Sequence, residues 1–359
     1  METTANNILK LGMVLNDKWI ILEFIGKGGM GEVYRAHQLN LKRDVAIKVV
    51  SQEWLESLDG DEEEIETGLQ RFRREVEAMA QLRHPNILEV YDYGSVSIQK
   101  GDEETNIEYI AMGFVPGGTL RSTMSEDGFY PEEGLTMDWL HNYFLPVLDG
   151  VEALHEAGII HRDLKPENIL MDGKIPKIAD FGLARSSRSK PVTRSIDMKG
   201  SPAYMSPEHF LDFRRADKRS DIYSLGKILF EAIEGKVSSA TIPMKRASLS
   251  KTKTLFFQKL DRIIQDATVE EKDKRLSSVK ELHSLLIEAI GNSRNKPTQA
   301  VLESSGKLSA FSHRKWIWGS LAVATVLAAS LLAFNLNHLR AERIEHKASQ
   351  SQSVLNERP

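Results

Sequence analysis

At Pro116-Gly117-Gly118 the chain changes its periodicity, and this break constrains the possible fold more than any other feature. Ahead of it the residues run in strand-like blocks. Trp19, Ile20, Ile21 and Leu22, then Phe24 and Ile25, lead into a glycine cluster. Val33-Tyr34-Arg35-Ala36 and Val45-Ala46-Ile47-Lys48-Val49-Val50 follow, which reads as strand, turn, strand, turn, strand. Further strands are expected over 87–93 and 107–114, joined by a polar hairpin loop at 99–106. Residues 51–68, with Glu62, Glu63 and Glu64 in a row, read as a solvated loop. A helix is expected over 71–82, where Phe72, Val76, Met79 and Ala80 share a face. Beyond the break, helical spacing covers 139–157, 221–234 and 255–290 and ends at Gly291. The expected class is α+β, with a β-rich N-terminal part and a helical C-terminal part. No repeat with a period of about 20–50 residues interrupts this order.

The 359 residues leave room for a bilobal domain of about 250–270 residues with appendages. Lys and Arg number 47 against 51 Asp and Glu, so nothing favours a nucleic-acid partner. The chain has no cysteine, which excludes disulfides, thiolate metal sites and cysteine nucleophiles and fits a reducing interior. Residues 1–18 read as a leader but not as a secretion signal, because the apolar run 8–14 is short and Asp17 and Lys18 follow it at once. Residues 288–315 read as a polar linker. Trp316 to Leu336 contains no Asp, Glu, Lys or Arg, and its 21 residues would span roughly 30 Å as a helix, with Trp316 and Trp318 at one interface. We read 316–336 as a transmembrane helix and 337–359 as a short extracytoplasmic tail, too short for a folded domain of its own.

Six short motifs carry chemistry. Gly26-Lys27-Gly28-Gly29-Met30-Gly31-Glu32-Val33 lets a tight hairpin bring its backbone against phosphates. A dinucleotide site would need a helix after these glycines, and a strand containing Val33 follows instead. Lys48, in the third strand and 17 residues after Gly31, can act as a point charge on phosphate oxygens. Glu75, ahead of the His84-Pro85-Asn86-Ile87 turn, is expected to pair with Lys48 and orient it. In His161-Arg162-Asp163-Leu164-Lys165-Pro166-Glu167-Asn168, Asp163 can accept a hydroxyl proton, and Asn168 can hold magnesium. Asp180-Phe181-Gly182 begins 17 residues past Asp163 and supplies a second magnesium ligand in Asp180. Ser206-Pro207-Glu208 closes the loop that follows.

In this order and spacing the motifs resemble the eukaryotic-type serine/threonine protein kinases, and most of all their bacterial membrane-anchored branch. The resemblance covers residues 19–287. It implies a two-lobed kinase fold with ATP in the cleft and proteins as substrates. Ile25, Gly26, Lys27, Gly28, Gly29, Met30, Gly31 and Val33 would cover the nucleotide, and Ala46 would pack on adenine. The hinge would run through Gly113, Phe114 and Val115, with Met112 guarding the back of the pocket. Lys48 would hold the α- and β-phosphates, Asn168 and Asp180 would hold Mg2+ (or Mn2+), Asp163 would orient the hydroxyl, and Lys165 would steady the γ-phosphate. Arg162 would seek a phosphate on the activation loop, with Thr193 and Ser195 as the sites. Asp221 and the Glu208–Arg275 pair match structural positions of the family. Ser201 and Ser206 depart conservatively from the usual threonine and alanine. A nucleotide-binding scaffold without catalysis would have lost Lys48, Asp163, Asn168 or Asp180, and all four are present. The kinase domain is expected on the cytoplasmic face, and homodimers are compatible with the reading.

Overall fold

The computed structural model describes residues 7–28, 31–50, 62–100, 103–180, 202–212, 215–235 and 245–294. Six strands form one antiparallel sheet in the order β1-β2-β3-β4-β6-β5. They are β1 (Val14–Leu15), β2 (Trp19–Gly28), β3 (Gly31–Gln38), β4 (Arg43–Val50), β5 (Val90–Lys100) and β6 (Glu103–Gly113). Alternation explains which side chains go inside. Trp19 and Ile21 of β2, Tyr34 and Ala36 of β3, and Val45, Ile47 and Val49 of β4 are all fully buried and share one core with Ile107, Tyr109 and Ala111 of β6. Val50, Val90 and Ile110 instead join the larger core, together with Phe72, Val76 and Met79 of helix α1 (Glu62–Gln81).

Three boundaries differ from the sequence reading. Helix α1 begins at Glu62, so the acidic run at 62–64 opens a helix, where the macrodipole favours negative charge. The β5–β6 hairpin continues through the stretch read as a polar loop, pairing Ser97 with Asn106 and Lys100 with Glu103. Ile98 and Ile107, buried on one face, explain the extension. Residues of the expected leader belong to the fold: Leu9 and Leu15 lie in the first core, and β1 pairs with β2.

The C-terminal part is built around α5 (Lys218–Glu234), in which every residue from Ser220 to Ile233 is buried. A helix enclosed on all sides is an internal axis. Asp217 caps it by accepting the Arg219 N–H at 2.8 Å. Around it lie α2 (Glu133–Trp139), α3 (Leu145–Glu156), α4 (Pro207–Leu211), α6 (Leu255–Ala267) and α7 (Val279–Arg294). A π-helical stretch, Leu140–Phe144, joins α2 to α3 just ahead of Pro146, which has no N–H to give to a regular turn. Helix α7 runs three residues past Gly291, where the helical pattern was expected to stop.

A small hairpin, β7 (Ile169–Asp172) with β8 (Ile175–Ile178), meets the turn at His84–Leu88. The Leu88 N–H donates to the Ile178 carbonyl at 2.9 Å, the Ile178 N–H to Asn86 at 2.8 Å, and the Asn86 side chain to Pro176 at 3.0 Å. This seam holds the sheet-bearing part beside the loop that carries Asp163.

Among the described residues no helix is long and apolar enough to cross a membrane. The expected span at 316–336, the linker beyond Arg294 and the tail lie outside the described residues.

Candidate active site

Strand register assembles the upper wall of the cleft. Gly26 stands opposite Val33, Val33 opposite Lys48, and Ala46 opposite Met112. The residues expected to cover a nucleotide therefore come together on adjacent strands. Ile25 is half exposed, and the Arg35 guanidinium sits 5.2 Å from the centre of the Phe114 ring. Gly29 and Met30 lie outside the described residues. After the hinge, the chain passes so close to β7 that a Cβ on Gly117 would lie 1.9 Å from the Met171 carbonyl oxygen. Only glycine fits there, and the Met171 N–H donates to Gly118 at 2.9 Å.

The lower wall is the loop from His161 to Asn168. Asp221 of α5 is fully buried and accepts from the backbone N–H groups of His161 and Arg162, both at 2.8 Å, and bonds His155 Nε2 at 2.8 Å. Burial would raise its pKa, but the His155 contact and the His161 N–H help to outweigh that and hold its carboxyl below the usual range. His161 is also fully buried. Its Nδ1 accepts the Asp163 N–H at 3.2 Å, so its Nε2 carries the proton toward the Ala179 carbonyl at 3.0 Å. Burial lowers its pKa and keeps the ring neutral. Arg162 and Asp180 both have positive φ, 64° and 55°, a strained backbone of the kind found at functional sites.

Asn168 donates to the Asp163 carbonyl oxygen at 2.8 Å and to Asp163 Oδ2 at 3.0 Å. Both amide hydrogens are thereby used, and Oδ1 remains as a hard oxygen donor. Lys165 Nζ lies 3.2 Å from Asp163 Oδ2. Lys48 Nζ reaches across the cleft to Asp180 Oδ1 at 2.7 Å and holds that carboxyl below its usual range. The described residues contain no cluster of three acidic or histidine ligands able to hold a metal by themselves. One carboxylate and one amide oxygen beside a phosphate site nevertheless suit Mg2+, which keeps several waters and takes its other ligands from the substrate.

The expected Lys48–Glu75 pair requires correction. Lys48 gives its charge to Asp180, and Glu75 Oε1 lies 3.8 Å from Arg162 Nη1. A lysine enclosed as deeply as Lys48, 7% exposed, takes the carboxylate that comes within hydrogen-bond distance. Phe181, Gly182, Thr193 and Ser195 lie outside the described residues.

Further down, Glu208 meets Arg275 at 2.8 and 3.0 Å as expected. A second hub had no signal in the sequence. Arg121 donates to Glu167 at 2.9 Å, Glu231 at 2.6 Å and the Tyr204 hydroxyl at 2.6 Å. Its partners lie 46, 110 and 83 residues away, so no local spacing could have revealed it.

A family model described as the protein kinase domain matches residues 19–304. The serine/threonine-protein kinase PrkC of Bacillus subtilis is 33% identical over 287 residues, covering 76% of this chain and 41% of that protein. The serine/threonine-protein kinase PknL of Mycobacterium tuberculosis is 36% identical over 224 residues, 62% of this chain and 50% of that one. The chain thus spans half or less of the length of these relatives. Among solved structures, the M. tuberculosis PknI kinase domain superposes with a TM-score of 0.56 at 25% identity, covering 79% of this chain and 99% of that one.

Proposed function

Given that this chain belongs to the protein kinase family, we propose that it transfers the γ-phosphoryl group of ATP to serine and threonine hydroxyls of proteins, from a membrane-anchored position. One observation carries the reading: Lys48 meets Asp180 at 2.7 Å, while Asn168 and Lys165 meet Asp163 at 2.8–3.2 Å, in the same cleft.

In this reading Asp163, its carboxylate oriented by Asn168 and Lys165, accepts the hydrogen bond of the incoming hydroxyl and points its oxygen at the phosphorus. Lys48 leaves Asp180 for the phosphate oxygens as nucleotide enters. Asn168 Oδ1 and Asp180 would hold magnesium, which supplies neutralisation of phosphate charge. The backbone of the glycine hairpin encloses the phosphates and excludes water. The Glu75–Arg162 contact gives the loop phosphosites a role. A phosphate on Thr193 or Ser195 would compete with Glu75 for Arg162.

The test uses the full chain with labelled ATP, magnesium and a protein substrate, beside Asp163→Asn and Lys48→Met. The parent is expected to label serine and threonine, with Asp163→Asn slower by about 10²–10⁴-fold. Mass spectrometry is expected to find Thr193 or Ser195 modified. Equal labelling by parent and Asp163→Asn chains would overturn the assignment.

A further inference from the structure

Beyond Ile21, strand β2 is poorly held. Leu22 to Ile25 are exposed, and the β2–β3 ladder slips twice, between Ile21 and Glu23 and between Phe24 and Gly26. A Cβ added to Gly26 or Gly28 would meet nothing within 4 Å. A hairpin of this kind has little of its own to fix its height above a bound nucleotide.

The N-terminal segment supplies the missing attachment. The Ile8 N–H donates to Glu32 Oε2 at 2.8 Å, and the Leu9 N–H donates to the Tyr34 hydroxyl at 3.0 Å. The Tyr34 hydroxyl in turn donates to the same Glu32 oxygen. Lys27, opposite Glu32 on the other strand, lies 3.6 Å from its second oxygen. Glu32 is 1% exposed, and it directly follows the last glycine of the hairpin. The segment itself is anchored. Leu9 and Leu15 are plugged into the core, the Gly12 N–H donates to Ile21 at 2.8 Å, and the Ile21 N–H returns a bond to Met13 at 2.9 Å. One end of the segment is thus tied to the buried half of β2, and the other to Glu32 and Tyr34 of β3, which pair with the exposed half of β2.

We propose that residues 8–15 are a strap that sets the position of the glycine hairpin over ATP, with Glu32 and Tyr34 as positioning residues. The inference rests on the kinase reading. A buried carboxylate that accepts a main-chain N–H and a tyrosine hydroxyl holds its donors firmly, because leaving them unpaired costs their full desolvation. The strap therefore acts on nucleotide affinity and leaves Asp163 untouched.

The test compares the full chain with Tyr34→Phe, Glu32→Gln and a chain lacking residues 2–9. A fluorescent ATP analogue reports Kd, steady-state kinetics report KM and kcat, and thermal unfolding without nucleotide reports stability. The inference predicts Kd and KM for nucleotide raised about fivefold in Tyr34→Phe, which removes both the bond accepted from Leu9 and the bond donated to Glu32, with kcat held within about twofold. Glu32→Gln, which keeps an acceptor oxygen, is expected to lose less. Lowered thermal stability with unchanged nucleotide affinity in the variants would make the strap purely structural and overturn the proposal. A parent chain that fails to bind the analogue would overturn the kinase reading itself, and this inference with it.

Discussion

Glu208 and Arg275 face each other through two parallel N–H···O contacts, and the arginine side chain has no exposed surface. Ser220 adds a third donor to the carboxylate at 2.9 Å. Burial alone would raise the pKa of Glu208, but Arg275 and Ser220 overcome it and pull the carboxyl down to about 2. Because the folded pKa lies below the unfolded one, this pair stabilises the fold fully above about pH 4.5, and the contribution fades as pH falls toward about 2. Discounted for partial solvent screening, it is worth about 2 kcal/mol. Urea unfolding at pH 7 and at pH 3 is expected to show that loss in the parent chain. In Glu208→Gln the acid-dependent slope is expected to flatten, while stability at pH 7 is already lower. A variant with an unchanged slope would show that the pair contributes nothing to acid stability. Arg121 offers a second case. Arg121→Ala takes from Glu231, 2% exposed, the guanidinium that meets it at 2.6 Å, and about 2–3 kcal/mol of stability is expected to go with it in the same assay at pH 7.

The hinge segment shows how element geometry can demand a residue. At Gly117 the constraint is space and not backbone angle, since an added Cβ would collide with the Met171 carbonyl. Gly117→Ala is therefore expected to push the segment off β7, break the Met171–Gly118 hydrogen bond and cost about 1–3 kcal/mol. Gly158 makes the contrast: its φ is +76° with open space around it, so Gly158→Ala is expected to cost about 1–2 kcal/mol through backbone strain alone. Denaturant midpoints measure both, and nucleotide affinity is expected to move only for Gly117→Ala. Local patterns of this kind were legible in the sequence. Alternation placed β2, β3 and β4, and the 3.6-residue period placed Phe72, Val76 and Met79 inside. The motif from His161 to Asn168, with Asp180, marked the residues that share the cleft. What escaped was long-range. The partners of Arg121 and the hold of Ile8 and Leu9 on Glu32 and Tyr34 depend on which strands and helices become neighbours. Helix α1 began earlier than its apolar face suggested because its first turn is acidic and has no apolar residue before Ile65. The Lys48–Glu75 pair was expected on grounds of role, whereas Lys48 meets Asp180 and Glu75 lies near Arg162.

For the whole molecule the decisive boundary follows Lys296, where the unit carrying the catalytic residues ends. Everything proposed about catalysis lies before it, and everything proposed about the membrane lies after it. This separation makes the anchor testable without disturbing the chemistry. Transfer of an uncharged stretch of 21 residues into hydrocarbon is strongly favourable, so a salt or alkaline wash that strips peripheral proteins should not release the full chain from vesicles. A chain ending at Lys296 should stay in the supernatant and phosphorylate a protein substrate at a rate close to that of the full chain. Val326 stands near the middle of the stretch, where an arginine costs about 2.5–3.5 kcal/mol to insert. Val326→Arg is therefore expected to lower the membrane-bound fraction, while a substitution in the polar residues 337–359 should not. Release of the full chain by salt alone would mean that it is held by charge, and 316–336 would lose its role as a span. Retention of both chains would place the membrane contact in the catalytic unit instead.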